Sequence, residues 1–129
     1  MAQRSRFEAI FPIGNTNPQD LPVHQLDTAV RFYEAHLGFT VEERTAAPVP
    51  SVLLRRDDVA LRLAENGGDP EQASCFIRVD DVDAAVTEMQ GQGLDVSPPR
   101  TDRTDNGDYR VFFVRAPDGL CYCLGRRLE

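Results

Sequence analysis

Two stretches of the chain, Val79–Val96 (VDDVDAAVTEMQGQGLDV) and Val23–Val41 (VHQLDTAVRFYEAHLGFTV), repeat one pattern. When Val23 is set on Val79, an offset of 56 residues, the two copies share Asp, Ala and Val in register. A repeat of this length that occurs only twice indicates two equivalent modules of one domain. We therefore interpret residues 1–129 as a single domain, with module one at about 7–64, a linker at about 65–73 and module two at about 74–126.

The composition is that of an acidic globular domain of ordinary size. Of the 129 residues, 41% are hydrophobic and 27% are charged, and the formal net charge is −7. No apolar run approaches the roughly 18 residues of a membrane span, and the N-terminus is a poor secretion signal, so we expect a cytoplasmic protein. The acidic balance argues against nucleic acid and anionic membranes as partners. An odd number of cysteines, Cys75, Cys121 and Cys123, indicates reduced thiols.

Each module is predicted to fold as a strand, a helix and three strands. The first helix is expected to begin at an Asp27 N-cap and to end at Gly38, and the second helix to begin at Asp83 and end at Gly91 and Gly93. Alternation and turn residues predict strands at Phe7–Ile13, Leu21–Val23, Phe39–Arg44, Val52–Arg55, Val59–Leu63, Cys75–Val79, Leu94–Val96, Tyr109–Val114 and Leu120–Leu124. Ser97–Asp108 is predicted to be a long polar loop, and the first strand of module one is left open between Phe7–Ile13 and Gln19–Val23.

The repeat carries a family resemblance. The segment LD-x-AV-x-FY-x3-LGF in the first helix and the ending PDG-x4-L before the last strand resemble the vicinal oxygen chelate superfamily, over nearly all of Leu21 to Leu124. That superfamily includes glyoxalase I, extradiol dioxygenases and bleomycin-resistance proteins. The resemblance implies an α+β fold, in which two tandem βαβββ modules form a cup-shaped mixed sheet with helices on the outer face. A cup lined by alternate strand residues is a natural small-molecule site.

The resemblance also implies positions for metal ligands. Enzymes of the family place His or Glu on the first strand of each module and Glu on the last strand, which suits a divalent ion. In module two these positions fall near Ser74 and on Cys123. In module one the position falls on Pro18 if the repeats are aligned directly, and on Glu8 if Phe7 begins the first strand. Because only Glu8 and Cys123 are candidates, and weak ones, we expect no metal cofactor, and no catalytic residue is identified.

Strand alternation predicts which side chains face the cup. Leu61 and Leu63 are expected to pack on a helix, which turns Arg62 the other way. By the same rule Cys75, Ile77 and Val79, and Leu120, Tyr122 and Leu124, take the helix side, and the residues between them face the cup. One hypothesis is that Arg62 and Arg78 hold an anionic or carbonyl-bearing ligand over aromatic side chains; the alternative is that they pair with carboxylates at the rim. A shift of one residue in the strand register would turn every side chain to the opposite face of the sheet. The predicted ligand-binding residues are Arg62, Ser74, Phe76, Arg78, Phe113, Cys121 and Cys123.

The sequence leaves three functions open. The first is a metal-free binder similar to bleomycin-resistance proteins, a homodimer as the resemblance implies, which sequesters a small molecule as in antibiotic resistance. The second is a glyoxalase- or dioxygenase-like enzyme that uses a divalent metal ion and an atypical ligand set, with Glu8 and Cys123. The third is a structural or regulatory module without a ligand. The charge of the ligand stays open, because the acidic surface favours a cationic drug and the predicted cup arginines favour an anion.

Overall fold

The computed structural model describes residues 5–128, and it confirms the predicted α+β fold class. Within this range the chain forms two α-helices, α1 (Leu26–His36) and α2 (Val82–Gly91), and a short 3-10 helix at Pro70–Gln72. The strands are β1 (Phe7–Ile13), β2 (Leu21–Pro22), β3 (Thr40–Thr45), β4 (Ser51–Arg56), β5 (Val59–Ala64), β6 (Ser74–Val79), β7 (Arg100–Thr104), β8 (Gly107–Arg115) and β9 (Cys121–Arg127).

The strands form two sheets. The large sheet has the order β1-β6-β9-β8-β7, and the small sheet has the order β2-β5-β4-β3. Strand β1 comes from the first module but pairs antiparallel with β6 of the second, with Phe11 opposite Phe76. The ladder shifts between Phe7 and Ala9, so Glu8 lies in a β-bulge. The large sheet is therefore built from both modules.

The repeat seen in the sequence is present in the strand pairing. Leu21 of β2 lies beside Leu63 of the parallel strand β5, and Ile77 of β6 lies beside Leu124 of the parallel strand β9. Leu21 and Ile77 are 56 residues apart, which is the offset of the sequence repeat. Both candidate first strands of module one therefore exist, with different partners, and β2 is the structural equivalent of β6.

Both helices begin earlier than the sequence predicts. The expected N-cap role of Asp27 is wrong, because Gln25 holds the N-cap position of α1 and makes no side-chain cap bond within residues 5–128. A tertiary contact takes its place: the Leu26 N–H donates to Glu65 Oε2 at 2.9 Å. Gly38, with φ of 76°, ends this segment as predicted.

The second helix has an ordinary side-chain cap. Asp81, two residues before the predicted start at Asp83, accepts a hydrogen bond from the Ala84 N–H at 3.0 Å. The sequence DDVD offers two candidate caps, and the side chain of the earlier one meets the backbone donor. Neither α-helix in residues 5–128 is long and apolar enough to cross a membrane.

Two predictions between α2 and β8 are wrong. Leu94–Val96 is not a strand, although Leu94 and Val96 pack against the core. The predicted loop Ser97–Asp108 contains β7 (RTDRT), which pairs with β8 at the edge of the large sheet. Most β7 side chains are exposed, so this strand lacks the apolar alternation that would reveal it.

The buried side chains form one core between the helices and the sheets. Leu61 and Leu63 of β5 and Ile77 of β6 are buried in it, as the alternation predicts. At its centre the hydroxyl groups of Tyr33 in α1 and Tyr122 in β9 are hydrogen-bonded to each other. Because Tyr33 belongs to the first module and Tyr122 to the second, this bond joins the two repeats inside the core.

Candidate functional site

The open face of the large sheet carries a cavity of about 650 Å³. This volume is within the range of known ligand pockets, which runs from roughly 300 to 1,000 Å³. We call this space the sheet cavity. The residues that line it are Phe11, Phe76, Arg78, Asp102, Thr104, Asn106, Tyr109, Val111, Cys123, Arg126 and Arg127.

Three aromatic rings form an apolar floor in the sheet cavity. The ring centroid of Phe76 lies 6.3 Å from that of Phe11 and 6.1 Å from that of Tyr109, with Tyr109 edge-on at 87°. Phe11 is 45% exposed, which is unusual for a large apolar side chain in a folded domain. Exposed rings that adjoin one another provide surface on which a planar ligand can stack.

The cavity arginines differ in how their charge is balanced. Arg78 Nε lies 3.2 Å from Glu8 Oε1, so this guanidinium has a carboxylate partner. Arg126 Nη1 donates to the backbone carbonyl of Asp80, which is neutral. Arg127 has no carboxylate partner within residues 5–128. Arg126 precedes Arg127 on β9 and pairs with Arg110, which bonds to Asp83 of α2, so the Arg126 side chain is on the helix face of the sheet. Arg127 therefore keeps an uncompensated positive charge on the cavity face.

The single carboxylate of the cavity lining is already paired. Asp102 accepts two hydrogen bonds from Arg100, at 2.8 and 3.3 Å, in a bidentate arrangement. The Arg100 guanidinium in turn lies 4.9 Å from the ring centroid of Phe113, within cation–π distance. The negative charge of Asp102 is thus offset by a group that does not itself line the cavity.

Cys123 lines the cavity as a neutral thiol. Its pKa is raised to about 11, first by partial burial and then by Asp102 and Cys121, while Arg100 lowers it by a smaller amount. The thiolate is the form that attacks electrophiles and binds metals. At neutral pH Cys123 is therefore a small apolar surface patch of the cavity.

The structure brings together three of the predicted ligand-binding residues: Phe76, Arg78 and Cys123 line one cavity. Arg62 lies in the small sheet, where it bonds to Ser51 Oγ and Glu43 Oε1. For Arg62 the hypothesis of carboxylate pairing is the one the structure supports.

Three more predicted residues lie on the large sheet but outside the cavity lining. Ser74 is next to Cys121 in the ladder between β6 and β9, and its N–H donates to Thr16 Oγ1 at 3.1 Å. Phe113 is opposite Cys123 on β8 and contacts Arg100. These residues continue the face on which the cavity lies.

Several lining residues were not predicted from the sequence. Tyr109 and Val111 alternate with Phe113 along β8, and Arg127 continues the alternation of Cys121 and Cys123 along β9. The same alternation rule, applied along the full length of both strands, would have found these three residues. The lining residues of β7 and its turn gave no such signal, because the segment is polar throughout. Phe11 was missed because its contact depends on the pairing of β1 with β6.

The residues present do not fit the divalent metal that the family's enzymes hold. The position equivalent to Ser74 in the first module is Pro18, 56 residues earlier, which offers no side-chain donor. Glu8 is paired with Arg78, and Cys123 carries a proton at neutral pH. Within residues 5–128 no group of three or more His, Cys, Asp or Glu side chains is placed to hold a metal ion.

Two other cavities differ from the sheet cavity in the residues that line them. One of about 190 Å³ lies at the start of α1 beside Asp118, and one of about 470 Å³ follows the acidic face of α2. Neither is lined by a phenylalanine, tyrosine or arginine side chain. The sheet cavity is therefore the candidate site.

A family model, described as Glyoxalase/Bleomycin resistance protein/Dioxygenase superfamily, matches residues 13–123, which is most of the chain. The chain belongs to this superfamily. The match agrees with the paired βαβββ modules and with the cavity on the open face of the large sheet. No curated protein matches the chain.

Solved structures of other proteins share this fold. A bleomycin resistance determinant encoded on the transposon Tn5 is 24% identical, with a TM-score of 0.69, and the alignment covers 90% of this chain and 100% of that one. A bleomycin-binding protein complexed with bleomycin is also 24% identical, with a TM-score of 0.69 and coverage of 89% and 100%. TnmS3, an antibiotic binding protein from Streptomyces sp. CB03234, is 24% identical, with a TM-score of 0.69, and the alignment covers 90% of this chain and 98% of that one. At these identities the likeness shows the fold alone.

Proposed function

We propose that this superfamily member binds a small organic molecule in the sheet cavity and sequesters it without chemical change. The observation that carries the proposal is the cavity itself: an aromatic floor of Phe11, Phe76 and Tyr109 is open to a space large enough for a ligand. Exposed apolar surface of this kind is costly in water and is typical of binding sites.

The donor groups favour binding over metal-dependent catalysis. A divalent ion in this fold would need ligands from both modules, and the equivalent first-strand positions are Pro18 and Ser74. Glu8 would have to leave Arg78, and Cys123 would have to lose a proton at a pH far below its pKa of about 11. Both steps oppose metal binding.

The proposal includes a biological role and an oligomeric state. Structures similar to this chain are named as bleomycin-binding, bleomycin-resistance and antibiotic-binding proteins, and sequestration of an antibiotic-like molecule is the corresponding role. We propose a homodimer as well, because Phe11 and Ile13 on the edge strand β1 are 45% and 44% exposed. Sedimentation velocity measures this directly, and a mass of 14.4 kDa at all concentrations would contradict the dimer.

The test is a ligand screen followed by calorimetry on the metal-free protein. We expect compounds that raise the melting temperature to bind with a one-to-one stoichiometry per subunit, to be recovered intact by mass spectrometry, and to bind equally well in EDTA. Phe76→Leu is expected to weaken binding about tenfold by removing the stacking ring. Phe32→Leu, a matched change on α1 away from the cavity, is expected to leave binding unchanged.

Two results would overturn the proposal. One is a stoichiometric metal ion that is retained through purification and is lost on Cys123→Ala. The other is turnover of a bound compound that EDTA abolishes. Either would establish the glyoxalase- or dioxygenase-like alternative.

A further inference from the structure

The sheet cavity is positively charged on a negatively charged protein. The chain has 21 acidic and 14 basic side chains, a net charge of −7. The cavity face has the opposite balance, with the guanidinium groups of Arg78 and Arg127 against a single carboxylate, Asp102. A local reversal of sign in a cleft raises the local concentration of the oppositely charged ligand.

The pairing of these groups leaves Arg127 free for a ligand. Glu8 offsets Arg78, and Arg100 offsets Asp102 through two hydrogen bonds. Arg126 bonds to the Asp80 carbonyl on the other face of the sheet, and within residues 5–128 no carboxylate pairs with Arg127. A guanidinium without a carboxylate partner is suited to hold a carboxylate or a similar planar anion through paired N–H donors.

The position of Arg127 is supported by the backbone beneath it. A Cβ atom on Gly107 would lie 2.7 Å from Arg127 Nε, and Gly107 has a φ of 119°, which side chains rarely adopt. Glycine at this position therefore allows the guanidinium to lie directly against the start of β8. The same strand carries Tyr109, so the free cation and the aromatic floor lie in one cavity.

We infer that the sheet cavity selects planar aromatic anions, whose ring stacks on the floor of Phe11, Phe76 and Tyr109 and whose acidic group faces Arg127. This inference rests on the proposed binding function and adds the class of ligand. It also resolves the conflict of sign in the sequence: the acidic residues are spread over the surface, whereas the uncompensated Arg127 is at the cavity.

Four probes of matched shape test the inference by calorimetry. They are naphthoate, naphthylmethylamine, naphthylmethanol and cyclohexanecarboxylate, which separate the charge from the aromatic ring. We expect naphthoate to bind at least about tenfold more tightly than each of the other three. Its affinity is expected to fall as salt is raised from about 50 to about 500 mM, because Arg127 is solvent-exposed and its charge is screened.

Two variants that each remove one positive charge test whether the charge that binds naphthoate lies in the cavity. Arg127→Gln is expected to weaken naphthoate binding about three- to tenfold. Arg103→Gln removes the same charge from β7, between the lining residues Asp102 and Thr104, but Arg103 does not itself line the cavity. We expect Arg103→Gln to change the affinity less than twofold.

The outcomes separate this inference from the proposed function. Equal or tighter binding of naphthylmethylamine would overturn the inference and leave the binding function standing. Equal binding of cyclohexanecarboxylate would overturn the aromatic part, and an equal effect of Arg103→Gln would overturn the role of Arg127. If no probe binds at about 1 mM, a weak affinity by any standard, both the inference and the proposed site are contradicted.

Discussion

At the scale of single residues, the most unusual side chain is Arg56, which is 0% exposed. Its Nη1 donates to the Leu37 carbonyl at 2.7 Å, and its Nη2 donates to the Ser5 carbonyl and to Glu88 Oε1, both at 2.8 Å. The guanidinium carbon lies 3.8 Å from the ring centroid of Phe7. A buried charge is tolerated only when it is paired and hydrogen-bonded, so Arg56 depends on each of these partners.

We predict that Glu88→Ala destabilises the protein strongly. It removes a carboxylate that is 12% exposed and leaves the Arg56 charge with only Asp57, whose Oδ2 lies 3.6 Å from Nε. Breaking a buried pair costs about 3–5 kcal/mol, and the remaining contact with Asp57 places the expected loss at about 2–4 kcal/mol. The measurement is the free energy of unfolding from urea titration.

The control is a pair of the same type on the surface. Glu42→Ala removes the partner of Arg55, at 3.0 Å, where both side chains are exposed, and is expected to cost less than about 1 kcal/mol. Equal losses in the two variants would show that the burial of Arg56 has no energetic consequence.

The burial of Arg56 was not predictable from the local sequence, in which it lies beside a hairpin turn. Its hydrogen-bond partners Leu37, Ser5 and Glu88 are 19, 51 and 32 residues away along the chain. A pattern of apolar and polar residues carries no information on contacts of this range. The same limit explains why Phe11, whose partner Phe76 lies on another module, was missed.

At the scale of elements, the alternation of strands predicted the facing of β6 and β9 correctly. Leu120, Tyr122 and Leu124 are buried, and Cys121 and Cys123 are half-buried on the other face. The rule works where one face of a strand packs on the core. The rule fails for β7, because most side chains of this edge strand are exposed to solvent, and apolar and polar residues therefore do not alternate along it.

Strand β9 contains a glycine whose role is to allow close approach. A Cβ atom on Gly125 would lie 2.5 Å from the backbone oxygen of Arg110 and 2.7 Å from Val111 Cγ1 on β8. We predict that Gly125→Ala destabilises the protein by about 1–3 kcal/mol, because β8 and β9 must separate to admit the methyl group. Urea unfolding measures the change.

Gly91, at the end of α2, is the matched site for the same substitution. Nothing lies within 4 Å of the position where its Cβ would be. Alanine is favoured over glycine in helices by up to about 1 kcal/mol, so Gly91→Ala is expected to be neutral or stabilising. A Gly125→Ala protein as stable as the wild type would contradict the packing of β9 on β8.

At the scale of the whole molecule, the two modules share both the cavity and the core. Strand β1 of the first module brings Phe11 to the ring of Phe76 in the second, and the Tyr33–Tyr122 hydrogen bond joins the modules inside the core. The repeat in the sequence predicted the two modules, but neither copy alone specifies how they meet. The cavity is therefore a property of the assembled pair.

The same core contains groups that ionise only at high pH. Burial raises the pKa of Tyr33 and of Tyr122 well above the usual value, and it raises the pKa of Cys75 to about 12. Their ionisation in the unfolded chain begins near pH 8.5 for Cys and pH 10 for Tyr, roughly. Because the folded pKa values are raised, the stability they contribute is complete below the unfolded values and is lost as the pH rises towards the folded values.

We predict that the free energy of unfolding is constant from about pH 7 to 8 and falls increasingly steeply above about pH 9, by at most about 1.4 kcal/mol per pH unit for each ionising group. Urea titrations across this range measure the slope. The double change Tyr33→Phe with Tyr122→Phe removes both buried hydroxyl groups without a change of shape, and it is expected to flatten the alkaline slope, whereas Tyr109→Phe in the open cavity is expected to leave it as it is. A double variant with the wild-type slope would mean that the tyrosine pair is not the source of alkaline instability.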